Sequence, residues 1–384
     1  MECQPNHMTN MDIHTQSHLN YSGRVNLGSF YTPYKYVMLV KQWLEKHNLL
    51  KGLTFLDSSC GYGAFFELQE HLPNNIFIGN DIDPIAVGKV AEVFPSVKTF
   101  NKNALASVSR SMFNIGDKDK LIIVGNPPYN DVTSQINQNV KKSDTKIDAD
   151  IKTRDLGLSS LLAYNKITAD YVAVLHPLSY LIKKQNFSAA KKFFQNYRML
   201  EHVVFNSQEF ANTSKATGFP VVVALYERHP SDGLSYDDVY RMEFRTVEGK
   251  KFSLSQWDYV ANFIDKYPNK NRYDKEILYY TLRDINALKR SRTFIKERCS
   301  NAVDVNPDKL SYYCYLDCFK KYASIPYYMG NFDVPFDKET FPSIEKAVTA
   351  VSKYNHADIF GSTPKPTAKT EQKVIDYINK IVNR

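Results

Sequence analysis

A chain of 384 residues is long enough for two domains, or for one large domain with additions. Its formal net charge of +8 permits a polyanionic partner without requiring one. No apolar run is long enough to span a bilayer, and five irregularly spaced cysteines do not complete a zinc set. A soluble, cytoplasmic protein with buried reduced thiols and no metal site is the expectation.

Residues 1–23 are polar, with His7, His14 and His18 scattered among amides and hydroxyls, and read as a flexible tail. Gly28-Ser29-Phe30-Tyr31-Thr32-Pro33 then leads into Tyr36 to Leu44, which has helical periodicity. Thr32 and Pro33 suit the cap and first position of that helix. Leu53 to Asp57 reads as the first strand, Ser58-Ser59-Cys60-Gly61-Tyr62-Gly63 as a glycine loop, and Ala64 to Leu68 as the start of a helix. Such a turn lets the backbone approach a ligand closely. Phe66 stands where a dinucleotide fingerprint needs its third glycine, and an acid, Asp57, precedes the loop. Both favour a cationic ligand, whose ammonium Asp57 can receive, over a pyrophosphate. Asn75 to Asp83 reads as a second strand ending in two acids. A carboxylate there accepts two hydrogen bonds from the vicinal hydroxyls of a ribose; the phase favours Asp81, with Asp83 second. Asn103 follows a short third strand.

The stretch Ile122-Ile123-Val124-Gly125-Asn126-Pro127-Pro128-Tyr129 carries the sharpest signal. A β-branched run reads as a buried parallel strand, and two prolines force a fixed turn at its carboxyl end. Asn126 offers an acceptor oxygen, the prolines offer carbonyls, and Tyr129 offers a ring face. That set suits a flat group bearing an exocyclic NH2. Residues 141–155 are charged and read as a loop beside the site. Leu156 to Ile167 reads as a helix, Asp170 to Pro177 as the fifth strand and its exit, and Phe187 to Tyr197 as another helix. Glu201 to Phe205 and Phe219 to Tyr226 close the sheet. From about Tyr236 the βα alternation stops. The remainder is rich in tyrosine, and Lys289, Arg290 and Arg292 fall in a helical-looking stretch from Tyr279 to Arg298.

Phe-Tyr-Thr-Pro, the Asp57 glycine loop, Asp81 and Asn-Pro-Pro-Tyr occur in that order over residues 24–230. Together they resemble the S-adenosylmethionine (AdoMet)-dependent DNA adenine-N6 methyltransferases of restriction-modification systems, in the order with cofactor motifs first and target recognition last. The resemblance implies an α/β fold, a Rossmann-like AdoMet methyltransferase sheet over residues 24–235, and a mixed target-recognition domain over 236–384. It implies that Tyr31 and Thr32 cover the methionine end of AdoMet. Asp57, Gly61, Gly63 and Asp81 would hold the rest of the cofactor, and Asn103 its adenine. Asn126, Pro127, Pro128 and Tyr129 would be catalytic, with Tyr129 and either Phe210 or Phe219 stacking on a flipped base. Ser58 stands where the family commonly has proline, and Asn103 where it usually has an acid. Duplex DNA is the expected partner, bound in part by Lys289, Arg290 and Arg292, and a cognate restriction endonuclease fits the same picture. RNA adenine-N6 methylation, glutamine-N5 methylation of a protein, and a catalytically silent nucleic-acid-binding module are the alternatives.

Overall fold

The computed structural model describes residues 31–129, 146–210, 218–268, 280–282, 284–288 and 293–384. The chain divides into two compact units, one ending at Lys251 and one from Phe252 to Arg384. Among the described residues no helix is long and apolar enough to cross a membrane.

The first unit is built on seven strands: β1 (Thr54–Asp57), β2 (Ile76–Asp81), β3 (Lys98–Asn101), β4 (Leu121–Gly125), β5 (Tyr171–Pro177), β6 (Tyr197–Asn206) and β7 (Pro220–Arg228). They form one sheet in the order β3-β2-β1-β4-β5-β7-β6. The neighbours among β1 to β5 pair in parallel, and β7 runs antiparallel between β5 and β6. Ile122, Ile123 and Val124 on β4 and Val221, Val222 and Val223 on β7 are fully buried, as strands covered on both faces must be. With helices flanking it, this is a Rossmann-like α/β sheet, as the sequence led us to expect. The strand order reverses between β1 and β4, so a crevice opens beyond their carboxyl ends.

Helix α1 (Tyr34–Lys46) buries Tyr36, Val37, Val40, Trp43 and Leu44, a spacing that puts them on one face. Tyr36 stacks on Phe205 of β6 at 4.1 Å between ring centroids. The helix begins one residue later than its sequence suggests. Pro33 has an extended ψ of 135° and takes the cap position, without a side-chain cap, while Thr32 is buried.

After the glycine loop, Ala64–Glu70 coils as a 3₁₀ helix rather than an α-helix. Phe65 and Leu68, three residues apart, eclipse on such a helix, and both are buried. Helices α2 (Pro84–Val93) and α3 (Leu156–Lys166) follow. After α4 (Ser179–Ile182), the single helix expected over 187–197 is instead divided between α5 (Lys184–Ala189) and α6 (Lys191–Phe194), and Tyr197 already opens β6.

The first unit runs on past residue 235. Helix α7 (Tyr236–Arg241) starts on a capping box made by Ser235 and Asp238, and the Tyr236 hydroxyl donates to the Ile182 carbonyl at 2.9 Å. Strand β8 (Phe244–Arg245) leads to Thr246, which bridges Val204 of β6.

In the second unit, α8 (Leu310–Tyr322), α9 (Glu345–Asn355) and α10 (Ala368–Val382) bury Tyr315, Phe319, Val348 and Ile378. The Asp317 carboxylate accepts from Ser352 Oγ at 2.9 Å and faces His356 Nε2 at 2.8 Å. Cys314 and Cys318 are buried thiols, and burial pushes Cys314 up to about 12. The helix expected from Tyr279 to Arg298 is absent among the described residues. Strand β9 (Tyr280–Leu282) pairs antiparallel with β10 (Ala302–Asp304), and Tyr280 also bridges Ile295. Asp284 sits at φ 56°, which a helix cannot accommodate. Lys289, Arg290 and Arg292 lie outside the described residues.

Candidate active site

Two sets of side chains meet at the crevice between β1 and β4. The first belongs to the glycine loop. Gly63 has φ 83°, the left-handed conformation that lets the chain turn from loop into the 3₁₀ helix. Phe66 fills the space against the sheet that a third glycine would leave open, with its ring edge-on to Phe77 and Phe94.

Four of the loop N–H groups find acceptors within the protein. Ser59 N–H donates to Asp57 Oδ1 at 3.1 Å, Cys60 N–H to the Asn80 carbonyl at 2.8 Å, Gly61 N–H to Asp81 Oδ2 at 2.8 Å and Gly63 N–H to the Cys60 carbonyl at 2.8 Å. A phosphate cradle needs such donors pointing outward. What this loop offers is carboxylate.

Asp57 is 3% exposed, and burial pushes its carboxyl up to about 8 against the pull of the Ser59 N–H, with the nearby Asp81 charge adding to the rise. Burial also raises Asp81, opposed by the N–H groups of Asp83 and Gly61. The two candidate ribose acids separate clearly. Asp83 caps α2 by accepting from Ile85 N–H at 2.9 Å, whereas Asp81 braces the loop itself.

Asn80 was not singled out by its sequence, yet it is fully buried and joins three strand exits. Its Nδ2 donates to the Ser58 carbonyl at 2.9 Å and the Lys102 carbonyl at 3.0 Å, and its Oδ1 accepts from Lys102 N–H at 3.0 Å. The available signal was an amide at an interior position of an otherwise apolar strand.

The segment before α1 reaches this loop. Tyr31 is buried and its hydroxyl donates to Glu67 Oε1 in the 3₁₀ helix at 3.0 Å; Thr32 is buried beside it. Asn103 is largely committed to holding backbone. Its Nδ2 donates to the Lys146 carbonyl at 2.9 Å and its Oδ1 accepts from Leu105 N–H at 3.0 Å. Ser58, in place of a proline, lies 3.4 Å from the Tyr164 hydroxyl.

The second set is the Asn-Pro-Pro-Tyr turn at the exit of β4. Gly125 has φ 153°, and a Cβ there would lie 2.9 Å from Asp57 Oδ1. Glycine therefore lets the turn start directly against the glycine-loop acid. The Tyr129 hydroxyl donates to Asn126 Oδ1 at 2.5 Å, and burial raises the phenol well above its ordinary value. Pro127 is buried and Pro128 partly so.

The two candidate stacking aromatics differ. Phe210 is 2% exposed and packs edge-on to Phe205 in the core. Phe219 is partly buried, and its backbone exchanges hydrogen bonds with Ser207. The structure thus brings Tyr31, Thr32, Asp57, Gly61, Gly63 and Asp81 to one loop and sets Asn126 to Tyr129 against it.

Against known proteins, no family model and no curated protein matches the chain. Among solved structures, the modification subunit of a candidate type I restriction enzyme from Vibrio vulnificus YJ016 is similar at 18% identity and a TM-score of 0.44, over 80% of this chain and 66% of that one. A type I restriction-modification methyltransferase subunit from Streptococcus thermophilus is similar at 14% identity and a TM-score of 0.41, over 70% and 56%. A candidate RNA methyltransferase from Pyrococcus horikoshii is similar at 17% identity and a TM-score of 0.37, over 53% and 89%.

Proposed function

We propose that this protein is an AdoMet-dependent methyltransferase that modifies the N6 amino group of adenine in duplex DNA. One observation carries the reading: the Asn-Pro-Pro-Tyr turn begins at Gly125, in contact distance of the buried Asp57 carboxyl. A cation-binding acid and an amine-accepting amide thus share one crevice at the switch point of the sheet.

The donor set supports AdoMet over a dinucleotide. Four of the loop N–H groups are consumed internally, two of them by the Asp57 and Asp81 carboxyls, which are also the groups available for an ammonium and a ribose. Asp57 takes the ammonium and Asp81 the ribose hydroxyls, while Tyr31 and Thr32 close over the methionine end. When bound, AdoMet supplies an electrophilic methyl group on a cationic sulfur. Asn126 Oδ1 and the Pro127 carbonyl accept from the two amino hydrogens, drawing the nitrogen toward sp3 character and freeing its lone pair. The Tyr129 hydroxyl donates to Asn126 Oδ1 and so orients the amide that receives the amino group. The Tyr129 ring supports the base once it has left the duplex stack. Of the two candidates for its other face, partial exposure favours Phe219.

The second unit, with Lys289, Arg290 and Arg292, is the proposed reader of the surrounding sequence. A duplex reader needs phosphate contacts for position and base-edge contacts for sequence, and the remainder of the chain is where they are available. Within a restriction-modification system, the same activity would protect host DNA from a cognate nuclease.

The test is incubation with tritiated AdoMet and a mixture of unmethylated DNA, RNA and protein acceptors, followed by nucleoside and amino-acid analysis. Label in N6-methyladenine from DNA is the expected result. Label confined to RNA, or to glutamine, would reassign the acceptor; no label in any would remove the enzymatic reading.

A further inference from the structure

On the methyl-transfer reading proposed above, we infer that Glu209 is a positioning residue that joins the acceptor side of the site to the cofactor side. It fastens the turn that holds Phe219, the proposed support of the flipped base, to the first turn of α1, whose lead is the proposed cover of AdoMet. Glu209 closes the one-turn 3₁₀ helix Ser207–Glu209 that follows β6. Its carboxylate accepts from the Tyr36 hydroxyl at 2.7 Å and pairs with the Lys35 ammonium. Both partners stand in the first turn of α1, where the helix dipole also favours a negative charge.

The contacts continue on both sides of this carboxylate. Toward the acceptor, Ser207 holds Phe219 twice. Its N–H donates to the Phe219 carbonyl at 2.9 Å, and its Oγ accepts from the Phe219 N–H at 2.9 Å. The Asn206 side chain caps the same turn by accepting from Gln208 N–H at 3.0 Å. Toward the cofactor, Tyr36 N–H donates to the Pro33 carbonyl at 2.9 Å. Thr32 and Tyr31 come next, and the Tyr31 hydroxyl reaches Glu67 of the glycine-loop helix at 3.0 Å. The Tyr36 ring, stacked on Phe205 at the end of β6, keeps the two turns at a fixed distance.

Helix α1 is docked without this carboxylate, by the burial of Val37, Val40, Trp43 and Leu44. What Glu209 adds is direction at one end of the helix, the end that leads to Tyr31 and Thr32. A shift of that lead as AdoMet fills the site is passed to the turn holding Phe219. The cofactor thereby sets the acceptor side before the base arrives, and small misplacements there cost large factors in rate. The plainer role, satisfying the buried Tyr36 phenol, predicts lost stability and no such transmission.

The inference rests on the proposed reaction and is tested beside it. Glu209→Ala removes the acceptor, Glu209→Gln keeps one for the Tyr36 hydroxyl, and Tyr36→Phe removes the donor but keeps the ring on Phe205. With 4-fluorophenylalanine at position 219, the fluorine resonance of the otherwise wild-type protein should move on saturation with sinefungin, an AdoMet analogue that carries no transferable methyl. In Glu209→Ala and in Tyr36→Phe the displacement should fall to less than half, Glu209→Gln should recover most of it, and the double variant Tyr36→Phe, Glu209→Ala should lose no more than either single one. In unlabelled protein, single-turnover transfer from tritiated AdoMet to unmethylated genomic DNA should fall about tenfold in Glu209→Ala, with recovery in Glu209→Gln. A full displacement in Glu209→Ala overturns the inference, as does sinefungin binding by calorimetry with no displacement in the wild type, or wild-type transfer by Glu209→Ala. A protein that shows the displacement but labels no acceptor overturns only the reaction, and one that binds no sinefungin overturns both.

Discussion

The two halves of the candidate site are held by different means. On the glycine-loop side, backbone is fastened to backbone through short polar side chains: Asn80 joins three strand exits, and Asp81 bridges the loop to the turn before α2. On the Asn-Pro-Pro-Tyr side Tyr129 holds Asn126, and at the exit of the neighbouring β5 the His176 ring stacks with Tyr180 and Tyr226. The first arrangement fixes a cavity of constant shape. The second fixes planes, which is what a flat acceptor needs. Substitutions on the first side should therefore register in cofactor affinity, and substitutions on the second in the rate of transfer.

The largest expected effect is on the second side. Asn126→Ala removes the acceptor for the amino group and for the Tyr129 hydroxyl together. Transfer should fall by about 100- to 1,000-fold, the usual consequence of losing one preorganised polar contact in a transition state. AdoMet affinity by calorimetry should stay at the wild-type value. Loss of both in equal measure would erase the division between the two halves.

Asp81→Ala tests the first side. It leaves the Gly61 and Asp83 N–H groups without their acceptor as well as the ribose. AdoMet binding should weaken by about 1–3 kcal/mol, with transfer at saturating AdoMet near the wild-type rate. Undiminished affinity in this variant would remove the ribose role from Asp81.

How much of this was readable beforehand follows the same division. The strands announced themselves because β4, β5 and β7 are apolar runs bounded by turn residues, as strands covered on both faces of the sheet tend to be. The ordered motifs were legible because each is local: a glycine with positive φ, an acid before it, an amide before two prolines. What stayed hidden depends on the third dimension. Asn80, an amide inside β2, shows its role only when three chain segments converge on it. Tyr180 and Asp155, 25 residues apart, meet only because α3 and α4 start at the same edge of the sheet. The stretch from Tyr279 to Arg298 misled because the pairing of Tyr280 with Asp304 that decides the matter is long-range. The one helix expected over 187–197 is also broken, at Ala190, which takes φ −100° and ψ 20° between α5 and α6.

Asp57 gives a pH signature of intermediate size. Its folded carboxyl titrates near 8 against an ordinary value of 3.8. Between these values the native state keeps a proton that the unfolded chain has lost. Its contribution to stability is therefore most favourable below about pH 4, declines as pH rises toward 8, and is level above that. Asp81, the Cys60 thiol and the Tyr164 phenol face the same carboxyl. Asp57→Asn should remove the decline, so its melting temperature without cofactor should gain on that of wild type from pH 5 to pH 8. AdoMet should bind this variant more weakly, because an amide, unlike the carboxyl, cannot release a proton on binding to become the ammonium's counter-charge. A constant difference in melting temperature across the range would mean that the native carboxyl is already charged at pH 5.

The smallest expected effect separates two acids that sequence alone left ranked but not divided. Asp83 is 2 residues beyond Asp81, and its Oδ1 is engaged with Ile85 N–H at the start of α2. Pro84 at the first helical position pre-sets the backbone, so the cap is a local refinement of a helix that the fold already requires. Asp83→Ala should cost about 1 kcal/mol of stability, seen as a small drop in melting temperature, and leave AdoMet affinity and transfer unchanged. Asp83→Asn or Asp83→Ser, which still cap, should recover the stability. If Asp83→Ala instead weakened AdoMet as much as Asp81→Ala, the cap and the ribose contact would be one function shared by both carboxylates. The glycine-loop side would then end at the first turn of α2, rather than at the strand exit where Asp81 stands.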